Sequence, residues 1–190
     1  MDICVYGASS TQIADDYILK TEELGKRLAS EGHSLVYGAG GAGLMGAVAR
    51  GFKAGGGHVV GVVPSFLKVD GILYEGCDEI VYTDTMRERK QIMEDRSQAF
   101  IVTPGGIGTY EEFFEMYTLK QLGRHNKPII LFNINGYYVP IVELLTQTVE
   151  QKFMREESLH LLSVATTVEE VLEQLKIKDC VVDIHVTKFV

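Results

Sequence analysis

Phe100-Ile101-Val102-Thr103-Pro104-Gly105-Gly106-Ile107-Gly108-Thr109-Tyr110-Glu111-Glu112 decides how the rest of the chain is read. A short apolar run reads as a buried strand, and it empties into a glycine-rich turn. The turn opens a helix over residues 109–122 whose first turn carries two carboxylates, Glu111 and Glu112. Backbone N–H groups at such a junction point past the strand end, and the helix dipole favours an anion there. Gly105, Gly106 and Gly108 permit backbone angles and a close approach that side chains would forbid. Main chain from Gly105 to Thr109 would therefore hold a phosphate, with Glu112 entering the same space from the helix. A phosphate cradle beside a carboxylate points to nucleotide chemistry.

Outward from this junction the same grammar repeats. Strands are expected at residues 3–6, 34–37, 58–63, 79–82, 100–103 and 128–133. Helices are expected at 11–31, from the turn at 38–43 through 54, and at 85–96, 109–122, 138–153 and 168–175. Residues 65–77 show no period and read as a loop. Alternation of apolar strands with helices predicts an α/β fold, a doubly wound, Rossmann-like and mostly parallel sheet with helices on both faces. Right-handed crossovers then gather the strand-end loops at one edge, where a ligand binds. The expected organisation is one nucleotide-binding catalytic domain over 1–175. Residues 176–190 alternate weakly (Val182, Ile184, Val186) and read as a tail or an edge strand.

At 190 residues the chain is long enough to bury a proper core, and 46% hydrophobic with 23% charged residues is an ordinary globular balance. The net charge of −8 argues against a nucleic-acid surface, which needs a basic face. With no signal-peptide pattern and no apolar run of about 18 residues, a cytoplasmic protein without a membrane partner is expected. Cys4, Cys77 and Cys180 then read as free thiols. None of the five histidines has zinc-ligand spacing, and there is no G-x-S-x-G elbow, so neither metal nor a serine triad is expected.

The motifs, taken together, resemble one family. Pro104-Gly105-Gly106-x-Gly108-Thr109-x-x-Glu112 matches the PGGxGTxxE signature of the LOG family, the cytokinin riboside 5′-monophosphate phosphoribohydrolases. Met86-Arg87-Glu88-Arg89-Lys90 resembles its M-x-x-R-K element, and Gln121-Leu122-Gly123-Arg124-His125-Asn126-Lys127-Pro128 its QLGxHxKP stretch. Asn133-x-x-Gly136-Tyr137-Tyr138 follows, and the run from Gly38 to Gly46 is similar to the family's GGGxxGLMG loop. Gln98, Ile107 and Leu119 depart from the usual acidic residue, Tyr and Trp. The family has often been labelled lysine decarboxylase, yet no residue here stands out as a pyridoxal phosphate lysine.

The resemblance implies a phosphoribohydrolase that cleaves the N-glycosidic bond of a purine nucleoside 5′-monophosphate. It implies Arg89 and Glu112 as catalytic residues, with Lys90, Gly105, Gly106, Gly108, Thr109, Thr118, Gly41 and Gly43 at the substrate. No cofactor is implied, and the partners are the nucleoside monophosphate and a second copy of the chain as a homodimer. Simpler readings stand beside these roles. Arg89 and Lys90 fit a solvated charged face. Carboxylates at a helix start are favoured by the dipole alone, which would also keep Glu112 ionised. Gly41-x-Gly43-x-x-Gly46 fits G-x-G-x-x-G, but the next strand ends in Pro64-Ser65 with no ribose-binding acid, so tight packing is preferred to NAD binding. His125 reads as structural at a helix end. The rival function is a non-catalytic nucleotide or molybdenum-cofactor carrier on the same fold.

Overall fold

A computed structural model of the chain describes residues 1–69 and 71–177. Among these, β1 (Asp2–Tyr6), β2 (Ser34–Tyr37), β3 (Val59–Pro64), β4 (Glu79–Thr83), β5 (Ala99–Val102), β6 (Ile129–Phe132) and β7 (Ser163–Ala165) form one sheet. The strand order is β4-β3-β2-β1-β5-β6-β7, and every neighbouring pair is parallel. The helices are α1 (Asp15–Ser30), α2 (Gly43–Ala54), α3 (Met86–Arg96), α4 (Ile107–Gln121), α5 (Val139–Glu150) and α6 (Val168–Lys176). The expected doubly wound fold is therefore the observed one. The chain winds outward from β1 to β4, then returns to lay β5 on the other side of β1. That reversal opens a crevice at the carboxyl ends of β1 and β5, the place such sheets use for ligands.

Strand alternation sorts the core into two layers. Ile3 and Val5 of β1 join Leu24, Leu28, Leu35 and Phe52 on the face covered by α1, α2 and α6. Cys4 and Tyr6 join Phe100, Met93, Phe113 and Met116 on the face covered by α3 and α4. Thr85 and Glu88 form a capping box that starts α3 where the charged helix was expected.

An unexpected strand and two helix starts differ most usefully from the sequence reading. β7 was not expected; with three residues it is too short to show a period, and it forms only because β6 offers an edge. Helix α1 starts at Asp15 rather than residue 11, because the Ala8 N–H donates to Pro104 O at 3.1 Å and draws the preceding loop over the sheet end. Helix α4 starts at Ile107, two residues early, so Glu111 and Glu112 lie in its second turn and the first turn holds no acid. Residues 178–190, most of the expected tail or edge strand, and Cys180 lie outside the described residues. Among the described residues no helix is long and apolar enough to cross a membrane.

Candidate active site

The turn between β5 and α4 has its carbonyls tied inward one after another. Thr103 O accepts from Tyr138 Oη at 2.7 Å, Pro104 O from the Ala8 N–H at 3.1 Å, and Gly105 O from Tyr137 Oη at 2.6 Å. A trans peptide turns its N–H away from its carbonyl, so the amide of Gly106 faces away from these anchors. At the start of α4 no side chain among the described residues caps the helix. Among the described residues no carbonyl outside the helix accepts from the Ile107, Gly108 or Thr109 N–H. These are donors a helix must satisfy somewhere, and together they make an anion site.

The three glycines of this turn do not take the special backbone angles expected of them. None of Gly105, Gly106 and Gly108 has positive φ. A Cβ at Gly105 would lie 2.1 Å from Thr109 Oγ1, so this glycine lets the buried Thr109 fold back under the turn. Around Gly106 and Gly108 a Cβ would meet nothing within 4 Å among the described residues. The packing of the described residues does not require either, and both stand exposed at the helix start.

Beside this turn lies a buried ion pair. Arg89 of α3 and Glu112 of α4 are 8% and 9% exposed, and Arg89 Nη1 donates to Glu112 Oε1 at 2.7 Å. Arg89 Nε donates to Val62 O of β3 at 3.2 Å. Its Nη2 lies 2.1 Å from where a Cβ would stand on Gly38, at the end of β2. The guanidinium thus reaches over β2 and β3 while Glu112 descends from the β5 side. Two charges so far out of water are costly to separate: removal of either partner leaves the other unpaired, at about 3–5 kcal/mol.

Burial pushes the Glu112 carboxyl above the usual glutamate range, and the Arg89 guanidinium pulls it back. The expectation that the helix dipole would depress it fails, because the dipole fades beyond the first turn and Glu112 stands in the second. Arg89, not the helix, is what favours the charged carboxylate. A buried, arginine-held carboxylate of raised pKa can stabilise a cation or exchange a proton with water.

The remaining expected site residues are arranged differently. Lys90 bridges Glu111 and, at 2.7 Å, Glu115; the second is an ion pair outside hydrogen-bond geometry. Burial works against its charge, but the two carboxylates outweigh it and raise its pKa. Thr118 is exposed, two helical turns beyond Glu111 on the face of α4 that carries Glu111 and Glu115. At the other glycine loop, the Gly41 N–H donates to Ile72 O at 2.8 Å. Gly43 has φ +57°, and a Cβ there would lie 2.5 Å from Ala8 O. That same oxygen accepts from the N–H groups of Leu44 and Met45 at 2.8 and 3.2 Å. The start of α2 is thereby closed by the protein's own backbone.

Tyr137, Tyr138 and Gly38 belong to this architecture although no role was read for them. Their signal was in the sequence all the same, in the Asn133-x-x-Gly136-Tyr137-Tyr138 stretch and in the first glycine of the Gly38 loop. His125 is structural: its Nδ1 accepts from the Lys127 N–H at 3.2 Å, so Nε2 donates to Met116 O at 2.9 Å. Burial holds it neutral, with a pKa lowered to about 4.

Comparison with known proteins fits this picture. Residues 45–175 match the family model described as "Possible lysine decarboxylase". The probable cytokinin riboside 5′-monophosphate phosphoribohydrolase LOGL2 of Oryza sativa subsp. japonica is 40% identical over 174 residues, 92% of this chain and 71% of the relative. The cytokinin riboside 5′-monophosphate phosphoribohydrolase LOG1 of Arabidopsis thaliana is 38% identical over 92% of this chain and 82% of its own length. Among solved structures, the molybdenum cofactor carrier protein of Chlamydomonas reinhardtii superposes with a TM-score of 0.71 at 24% identity, covering 92% of this chain and 94% of that one. The last likeness concerns the fold alone. Signature, fold and relatives agree, and the chain belongs to the LOG family.

Proposed function

We propose that this protein hydrolyses the N-glycosidic bond of a purine nucleoside 5′-monophosphate, of the cytokinin type or AMP, to free base and ribose 5-phosphate. The observation that carries the reading is the buried Arg89–Glu112 pair standing beside an uncapped helix start. The open amides of residues 106–109 receive the 5′-phosphate and fix the sugar by its far end. Binding energy from that remote group positions C1′ against the carboxylate. As the bond to the base breaks, positive charge grows on the ribose, and the fixed Glu112 carboxylate stabilises it. Glu112 then takes a proton from the water that attacks C1′, while the base leaves with the bonding pair and takes a proton from solvent, to which Glu112 later returns its own. Arg89 offsets negative charge on the phosphate or the departing base. The names of the relatives support the reaction and the substrate class.

Self-association belongs to the same proposal. Helix α5 is largely apolar yet buries only Leu145, leaving Val139 and Leu144 at 45% and 50% exposure and Phe153 beyond it at 85%. A second copy would cover this face. A cytoplasmic setting is also proposed, supported by the unpaired Cys4 and Cys77.

The test is incubation with AMP, isopentenyladenosine monophosphate and the two matching nucleosides, followed by chromatography for released base. Release is expected from the monophosphates, and Glu112→Gln should lower kcat at least about 1,000-fold with the nucleotide still bound. Tight binding without release by a folded wild type would leave a carrier instead.

A further inference from the structure

Three tyrosines surround the phosphate-facing turn, and counting their protons gives their hydrogen bonds a direction. Tyr137 Oη donates its only proton to Gly105 O at 2.6 Å. The 3.0 Å contact between Tyr110 Oη and Tyr137 Oη must then be donated by Tyr110. The order is Tyr110 O–H to Tyr137 oxygen, and Tyr137 O–H to the Gly105 carbonyl. Tyr110 lies in the first turns of α4, whereas Tyr137 follows β6, so the relay ties the helix start to a different part of the sheet. Tyr137 is itself held: its ring meets Tyr17 edge-on at 6.3 Å and Tyr138 at 5.2 Å.

The relay ends on a particular peptide. The Gly105 carbonyl shares its amide group with the Gly106 N–H, the first donor of the open helix start. A carbonyl that accepts a strong hydrogen bond polarises its peptide and makes the N–H on the other side a better donor. With Thr103 and Pro104 already fixed through their own carbonyls, Gly105 is the last free peptide before α4. Its orientation decides whether the Gly106 amide meets the ligand.

We propose that Tyr110 and Tyr137 form a positioning relay that orients and polarises the Gly105–Gly106 peptide, and so sets the affinity for the substrate's phosphate. The inference rests on the phosphate assignment made for the proposed function. Neither tyrosine is a catalytic residue; both act through the backbone.

The experiment measures Tyr137→Phe and Tyr110→Phe, each isosteric with the native ring, and the double variant. For AMP hydrolysis Tyr137→Phe is expected to raise KM about 10-fold with kcat within about threefold of wild type, the loss of one well-formed hydrogen bond. Tyr110→Phe should raise KM about twofold, and the double variant should match Tyr137→Phe alone because both act on one peptide. Calorimetric titration with ribose 5-phosphate should show the same order in Kd without needing turnover, and melting temperatures should confirm that each variant is folded. Unchanged KM and Kd in Tyr137→Phe would overturn the relay, as would equal and additive effects of the two substitutions. A wild type that binds ribose 5-phosphate but releases no base would sink the proposed reaction while the relay is still judged by Kd. A folded wild type that binds neither ribose 5-phosphate nor AMP and releases no base overturns both.

Discussion

Two glycine-rich junctions join a strand to a helix at the same edge of this sheet, and they do opposite things. After β2, the loop from Gly38 to Gly43 is closed by the molecule itself. Ala8 O takes the Leu44 and Met45 amides of α2, Ile72 O takes the Gly41 amide, and the Arg89 guanidinium fills the space beside Gly38. After β5, the carbonyls of Thr103, Pro104 and Gly105 are all occupied, but the amides that open α4 are not capped. Glycine content is therefore a poor guide to a binding loop. What matters is whether another part of the chain has reached the helix start first.

The largest expected effect separates the junctions by stability. Gly43→Ala combines a left-handed backbone with a Cβ 2.5 Å from Ala8 O. It should cost about 3 kcal/mol in urea unfolding. An unchanged midpoint would mean the first junction is not closed by its own backbone. Gly108→Ala should behave in the opposite way. Its Cβ meets nothing and its site is helical, so stability should hold or rise by up to about 1 kcal/mol. Yet KM for the monophosphate should rise about 10-fold while any activity on the nucleoside is unaffected. Equal loss on both substrates would remove the phosphate from this junction.

The smallest effect at neutral pH is expected in the pH profile, and it also belongs to the second junction. Burial raises the Glu112 pKa, and Arg89 opposes the rise. Activity that needs the carboxylate is then lost as pH falls through a pKa above that of an exposed glutamate. Stability runs the other way for this group. A folded-state pKa above the unfolded one means that its contribution is fully present below the unfolded value and is lost as pH rises through the folded value. Acid inactivation should thus precede acid unfolding. Arg89→Gln, which removes the opposing charge, should move the activity limb further toward neutrality wherever residual turnover is measurable. An acid limb at or below the ordinary glutamate range would count against Glu112 as the titrating group.

Much of this was legible in one dimension. Apolar strands alternating with amphipathic helices dictated a parallel, doubly wound sheet, because continuous apolar strands are stable only when covered on both faces. The signature around Glu112 and the upstream Arg89 marked the two residues that the fold brings to 2.7 Å. One reading failed where a long-range contact overrides a local one. A two-residue shift of the α4 start moved Glu112 out of reach of the dipole and left its charge to a guanidinium 23 positions away in sequence. Lys90 fits the family motif in sequence, and the fold places it between two carboxylates of α4, a contact that no local pattern shows.

The sequence by itself determined the fold class and the edge where the loops gather. These follow from periodicity and composition, which act over a few residues at a time. Only the tertiary structure decided which glycine loop is open, which amides Ala8 closes, and that two tyrosines 27 positions apart share one proton chain to Gly105. Those outcomes depend on which backbone groups meet across the sheet edge. Hydrogen bonds at that range are set by strand order, which no local pattern encodes.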